Sequence, residues 1–270
     1  MVCINTPQLK ELYTPESGRM RVAGFMSGSG SNLVKIIEHE IILEKLEGRS
    51  PYHVAVIFTD NPLSNAGMIG RTYGIPVITR DLGEFYRERG KPRKDMTVRA
   101  EFDQGTVDAL AHYKIDVAAY AGYMSIATSV LINAFLGANV HPADLRIMNG
   151  EKRKYTGDHA VRDAILAGEK ELRSTTHLIE PRVDYGRILM VSQPLSVTLP
   201  EDFNPSDTEQ VKLVSDQHQT MLKERGDWII FPKTLEDIAS GKYSQDEEGR
   251  LYFNARFTDK PILIPQGILL

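Results

Sequence analysis

Gly137-Ala138-Asn139-Val140-His141-Pro142 places an amide and an imidazole two residues apart at the end of an apolar run. In an extended chain, residues two apart share a face. Asn139 and His141 are therefore presented together. Pro142 lacks an N–H and resists continuing a sheet. An amide donor beside a group that titrates near neutrality suits a reaction in which an oxyanion forms and a proton moves. The plain alternative is a polar strand end with a solvated histidine. These six residues alone do not separate the two readings.

The elements around them do more. Arg21–Met26 is a short apolar run without alternation, as in a buried strand. Ser27-Gly28-Ser29-Gly30-Ser31-Asn32 follows at once, and then Leu33, Ile36, Ile37, Leu43 and Leu46 at helical spacing. A glycine-rich turn opening a helix lets backbone N–H groups approach an anion such as a phosphate. The turn lacks the lysine of an ATP-type phosphate loop and the third glycine of a dinucleotide fingerprint. His53–Thr59 and Pro76–Ile78 read as further strands, separated by a helix from Ala66 to Tyr73 that Gly74 closes. His53, at a strand start, reads as structural. The charged stretch Gly83–Met96 reads as a solvated surface excursion. A helix over Val98–Tyr113 leads to a strand over Ile115–Tyr120. Next come the turn Ala121–Ile126, a short helix over Ile126–Phe135, and Gly137–Val140 as the last strand of the parallel core. Strand–helix–strand units imply an α/β fold with a doubly wound, mostly parallel sheet. Ligands of such sheets lie at the carboxyl ends of the strands. The glycine loop, the Ala121 turn and Asn139/His141 all fall on that edge.

Further on, Gly157-Asp158-His159-Ala160 opens a helix through Gly168, Ser174–Glu180 alternates like a strand, and Val183–Leu189 turns into the next. A carboxylate on that turn can meet His141 across the sheet edge, raising the imidazole's pKa and fixing its orientation. Composition agrees with a cytoplasmic enzyme or binding protein. The chain has 270 residues, a net charge of −4 and a single cysteine, Cys3. The charge argues against a dedicated nucleic-acid binder. One cysteine excludes an internal disulfide and a zinc–cysteine cluster, and the histidines lack metal-ligand spacing. No apolar run approaches a membrane span. Met1–Gly18 has no charged start with an apolar core, so no secretory signal is read there and a cytoplasmic location is expected.

The ordered fragments Ser27–Leu33, Ala121-Gly122-Tyr123-Met124, Asn139–Pro142, Gly157–Ala160, Thr176-His177 and Val183-Asp184-Tyr185-Gly186 resemble the folate-dependent formyltransferases. Within that family they look most like the branch acting on glycinamide ribonucleotide in purine biosynthesis. The likeness runs over about residues 20 to 200. It implies a Rossmann-like formyltransferase domain over 20–225, an N-terminal arm over 1–19 and a packed C-terminal extension over 226–270. It also implies 10-formyltetrahydrofolate as co-substrate, no metal, small-molecule partners, and a homodimer as one assembly. By the same resemblance Asn139, His141 and Asp184 are the catalytic trio, and His177 supports their loop. The backbone of Gly30, Ser31 and Asn32 would hold the substrate phosphate. Tyr123, Met124, Ser125 and Ile126, with Ile179, Glu180 and Val183, would wrap the pterin. Gln217-His218 falls where the family places a substrate-contacting Glu-His pair, with His218 equally readable as structural.

Several positions depart from the family pattern. Ser125 replaces an arginine on the folate side. Ala143-Asp144-Leu145-Arg146 replaces Ser-Leu-Leu-Pro, the following loop is longer and more basic, and Arg187 replaces a proline. An intact trio between altered walls leaves open an acceptor other than glycinamide ribonucleotide, such as an amino sugar nucleotide or a small metabolite. A non-catalytic folate- or nucleotide-binding relative is the third reading. A dinucleotide-dependent dehydrogenase fails on the glycine pattern. Trp228–Phe231 reads as core, and Leu251–Phe253 with Pro261–Ile264 as a hairpin laid against the body.

Overall fold

The apolar runs near the N-terminus become strands buried on both faces, as parallel strands between helices must be. In the computed structural model, which describes residues 7–15, 18–258 and 262–263, these are Met20–Met26 (β1) and Tyr52–Thr59 (β2). Val77–Thr79 (β3), Val117–Tyr120 (β4) and Leu136–His141 (β5) complete the parallel part. Thr175–Leu178 (β6), Ile188–Val191 (β7) and Ile262–Leu263 (β8) extend it. The sheet order is β8-β7-β6-β5-β4-β1-β2-β3. β5 pairs antiparallel with β6 and β6 with β7, so the sheet does not stop at the Asn139 strand. The register sets His177 opposite Asn139 and Thr175 opposite His141.

Helices cover both faces. Ser31–Glu47 (α1) and Ala66–Tyr73 (α2) pack on one core, and Gly74 at φ 70° closes α2 by donating to the Gly70 carbonyl. Met96–Leu110 (α4) packs on the other face. The charged stretch after residue 81 is not a bare surface excursion. Leu82–Glu88 (α3) is a helix, with Asp81 capping it by accepting from Glu84 N–H and with Leu82 and Tyr86 buried. Its charges occupy only the outer face. Ser129–Ala134 (α5) and Ala160–Leu166 (α6) are short. Thr208–Leu222 (α7) runs through a π turn at Lys223–Asp227 into Trp228–Ala239 (α8). Ile230, Phe231, Leu235 and Ile238 of α8 lie in the same core as β1 and α1. The boundary expected after residue 225 therefore falls inside a continuous helical segment.

Leu251–Phe253 does not pair with Ile262–Leu263, contrary to the hairpin expected. It joins a second sheet with Lys10–Glu11, Tyr243–Gln245 and Arg256–Phe257. Ile262–Leu263 instead adds a parallel edge to β7. Cys3, Pro261 and Ile264 lie outside the described residues. Among the described residues no helix is long and apolar enough to cross a membrane.

Candidate functional site

Asn139 and His141 both face a cavity of about 1140 Å³ at the carboxyl ends of the parallel strands. Asp184 and His177 line it with them. His177 lies across the ladder from Asn139, and its Nδ1 donates to the Leu178 carbonyl at 2.8 Å. A carbonyl only accepts, so Nδ1 carries the proton. Nε2 is then the acceptor for Asn139 Nδ2, at 3.2 Å. This bond turns the amide so that its NH₂ points toward the trio, with a second hydrogen left for a ligand oxygen.

The carboxylate stands between two imidazoles. Asp184 Oδ1 is 3.6 Å from His141 Nδ1 and 3.6 Å from His177 Nε2. Its Oδ2 accepts from Gly157 N–H at 2.8 Å. Burial pulls the Asp184 carboxyl upward, but the His177 and His141 rings, which donate to it when protonated on the facing nitrogens, and the Gly157 N–H outweigh it and hold the group at about 2. Asp184 is thus ionised at neutral pH. His141 behaves otherwise than its neighbour alone suggests. Burial lowers its pKa below the ordinary 6.5, and the opposing pull of Asp184 only partly compensates. The net direction is downward, a correction to the rise expected from an adjacent carboxylate. The His141 Nε2 faces the Tyr155 carbonyl at 3.1 Å. Acceptors at both nitrogens hold the ring in one orientation whether it carries one proton or two.

The cavity has an apolar and a polar end. Met124, Ile126 and Val183 line it while exposing 67%, 51% and 52% of their surface. Large apolar side chains left open together mark a ligand wall rather than a core. Tyr123 backs this wall, packed edge-on to Phe25 at 5.5 Å, and Ile179 and Glu180 continue it. Ser125 is tied down: with Ser27 it donates to the Asp60 carboxylate, and Met124 N–H donates to Ser27 Oγ at 3.0 Å. Asp60 therefore couples the Ala121 turn to the glycine loop where the family has an arginine.

At the other end, Asn32 lines the cavity at the start of α1, while Gly30 and Ser31 are not among its lining residues. Gln217 is exposed and stands outside the lining. Both His218 ring nitrogens are used by backbone, at Val214 O and Thr198 N–H, so His218 is structural. The carboxylate that does face this end is Asp227, which the sequence did not single out. It accepts from Ser174 Oγ at 2.5 Å and Asn32 Nδ2 at 3.4 Å. Burial pushes it up to about 6 against those bonds. Asn32 Oδ1 beside it is buried with no partner among the described residues. The π turn delivers Asp227 there, and Gly226 lets it: a Cβ on Gly226 would come within 2.4 Å of Ser174 Oγ. Nothing in the run Glu224-Arg225-Gly226-Asp227 distinguishes it from a linker, so no sequence signal pointed to it. No cluster of metal-ligating side chains occurs among the described residues.

The family model described as formyl transferase matches residues 20–202. Among curated proteins, the trifunctional purine biosynthetic protein adenosine-3 of Chironomus tentans is 27% identical over 234 residues, covering 83% of this chain and 14% of its own length. The human protein of the same name is 27% identical over 243 residues, covering 88% of this chain and 20% of its own length. This chain thus spans only a small part of those relatives. Among solved structures, phosphoribosylglycinamide formyltransferase from Anaplasma phagocytophilum superposes with a TM-score of 0.64 at 20% identity, over 92% of this chain and 99% of the other. The enzyme of the same name from Bacillus halodurans gives 0.57 at 26% identity, over 82% and 95%.

Proposed function

The chain belongs to the formyl transferase family, and on that footing we propose that it moves a formyl group from 10-formyltetrahydrofolate to the primary amine of glycinamide ribonucleotide. The observation that carries this is the convergence of Asn139, His141 and Asp184 on one cavity with an apolar and a polar end. The apolar wall of Met124, Ile126 and Val183 suits a flat heteroaromatic ring. The polar end, with Asn32 at the start of a long helix and Lys223 nearby, suits a phosphorylated sugar. Asp227 and the free oxygen of Asn32 offer acceptors for sugar hydroxyls.

The donor supplies an activated formyl carbon and, on transfer, a nitrogen that needs a proton. Asn139 Nδ2, turned by His177, donates to the formyl oxygen as it gains charge. The net reaction moves one proton from the attacking amine to the departing folate nitrogen. His141 is suited to that transfer because burial lowers its pKa, so a ring that takes the amine's proton gives it up again readily. Asp184 stays anionic and steadies the ring while it is charged.

The test is to incubate the purified chain with 10-formyltetrahydrofolate and glycinamide ribonucleotide and follow formylated product by mass spectrometry. Turnover that collapses in H141A and D184N supports the reading, and wild-type turnover in both overturns the mechanism. One observation favours a second acceptor. Ala143–Arg146, with Arg146 paired to Asp144, stands where the family resemblance places a loop that helps seat the amine. An amine panel including amino sugar nucleotides decides between them: faster turnover of another amine displaces glycinamide ribonucleotide.

A further inference from the structure

Three features in which this chain departs from its family meet on the outer side of the Asp184 loop. One is the hairpin in which Met148–Asn149 pairs with Lys152–Arg153. From it, Arg153 Nη1 donates to the Asp184 carbonyl at 2.6 Å and the Arg153 N–H donates to Tyr185 Oη at 3.0 Å. The same guanidinium lies 5.6 Å from the Tyr185 ring centre. The second is Arg187, whose Nε donates to Glu180 Oε1 at 2.8 Å across the loop's base. The third is the small C-terminal sheet, reached by Arg187 Nη1 through Gln245 Oε1 at 2.7 Å and the Gly249 carbonyl at 2.6 Å.

The loop between these anchors needs holding. Asp184 has φ 57°, the left-handed region that a residue with a Cβ adopts only when its surroundings impose it. Gly186 packs so tightly that a Cβ would come within 1.7 Å of the Leu178 carbonyl. The Asp184 carboxylate lies 3.6 Å from each imidazole, so its aim depends on the main chain that carries it. Arg153 has no carboxylate within ion-pair distance among the described residues. Its side-chain hydrogen bond goes to the main chain of Asp184, the non-glycine residue of this loop that is held in the left-handed region.

We propose that Arg153 is a positioning residue, fixing the left-handed main chain of Asp184 and so aiming its carboxylate at His141, while Arg187 anchors the same loop to the C-terminal sheet. The proposal rests on the reading above that Asp184 acts through His141. It makes the longer basic loop, Arg187 and the C-terminal sheet parts of one brace.

The test is a double-mutant cycle on the full chain with R153M, R153K, D184N and R153M/D184N. kcat, both KM values and melting temperature are measured for each. R153M should lower kcat about tenfold or more, since misaiming a reacting group by about an ångström costs up to roughly 10²-fold. Both KM values should stay within about twofold, and R153K should recover part of the loss, because lysine keeps a cationic donor on this side of the loop though not the planar fork stacked near Tyr185. In the D184N background R153M should cost almost nothing, since the group it positions is already gone. Losses that multiply independently, a wild-type kcat in R153M, or a kcat loss matched by a large fall in melting temperature and not even partly restored by R153K would each overturn the positioning role. Wild-type turnover in D184N would instead overturn the catalytic reading, and the proposal with it.

Discussion

His141 and Asp184 differ in how burial acts on them, and that difference gives a pH signature. Burial lowers the His141 pKa, and Asp184 opposes the fall. If His141 must begin neutral to take the amine's proton, kcat/KM rises with pH along a limb below about 6.5 and is flat above it. Removing the opposing charge in D184N lets the pKa drop further. The limb then moves to lower pH while the plateau falls, on the order of 10²-fold. A limb that moves upward would show that Asp184 is not the group supporting the His141 charge. Asp227 makes a second prediction, on stability. Its pKa rises from 3.8 to about 6 on folding. Between those values the folded chain keeps a proton that the unfolded chain has released, so stability falls as pH rises through that window. The loss is complete above about pH 6 and amounts to about 3 kcal/mol at most. D227N is relieved of it. The melting-temperature difference between D227N and wild type should therefore grow from pH 4 to pH 6 and then level off, and a difference independent of pH would refute the assignment. A buried carboxylate kept at such a cost, facing a substrate cavity, fits a group retained for binding.

Elements explain why some of this was readable and some was not. Asn139 and His141 could be paired from sequence because they lie two apart on one strand, whereas Asp184 was named through the family resemblance, and the register that sets His177 opposite Asn139 shows how its loop reaches them. The α2 boundaries followed from Gly74, and the buried strands from their unbroken apolar runs. α3 was hidden because charge dominates Leu82–Glu88, although its buried Leu82 and Tyr86 keep helical spacing. The direction of the His141 shift was hidden because sequence shows a neighbour but not burial. Asp227 was hidden for another reason: it owes its place to the π turn between α7 and α8, and such turns leave no periodic mark. That turn can be tested through Gly226. In G226A the new Cβ would overlap Ser174 Oγ, so the junction must move and Asp227 loses its bond to Ser174. A loss of about 1 to 3 kcal/mol in unfolding free energy is expected from the overpacking. A rise in KM for the acceptor should accompany it, with KM for the donor unchanged. Unaltered acceptor KM in a destabilised G226A protein would separate Asp227 from substrate binding.

On the scale of the whole molecule, the proposed reaction asks one continuous cavity at the sheet edge to serve two ligands. β4 and its turn carry the apolar wall at Met124 and Ile126, while α1, the π turn and α7 carry the polar end at Asn32, Asp227 and Lys223. The trio stands between them on β5 and the Asp184 loop, where the two ligands must touch if a group passes directly from one to the other. The division predicts separable kinetics. M124D puts a charge into the apolar wall and should raise KM for the formyl donor about tenfold or more, since burying an unpaired charge against an aromatic ligand costs well over 1 kcal/mol. K223A removes a cation from the polar end and should raise KM for a phosphorylated acceptor instead. Each variant should leave the other ligand's KM within about twofold, and the double variant should combine the two effects, because sites without shared partners add. Initial rates measured over a grid of both substrate concentrations read all four values. If M124D weakened the acceptor as strongly as the donor, the two ends would not be separate subsites. The direct-transfer geometry would then fail, because it needs each ligand held by its own wall with only the trio between them.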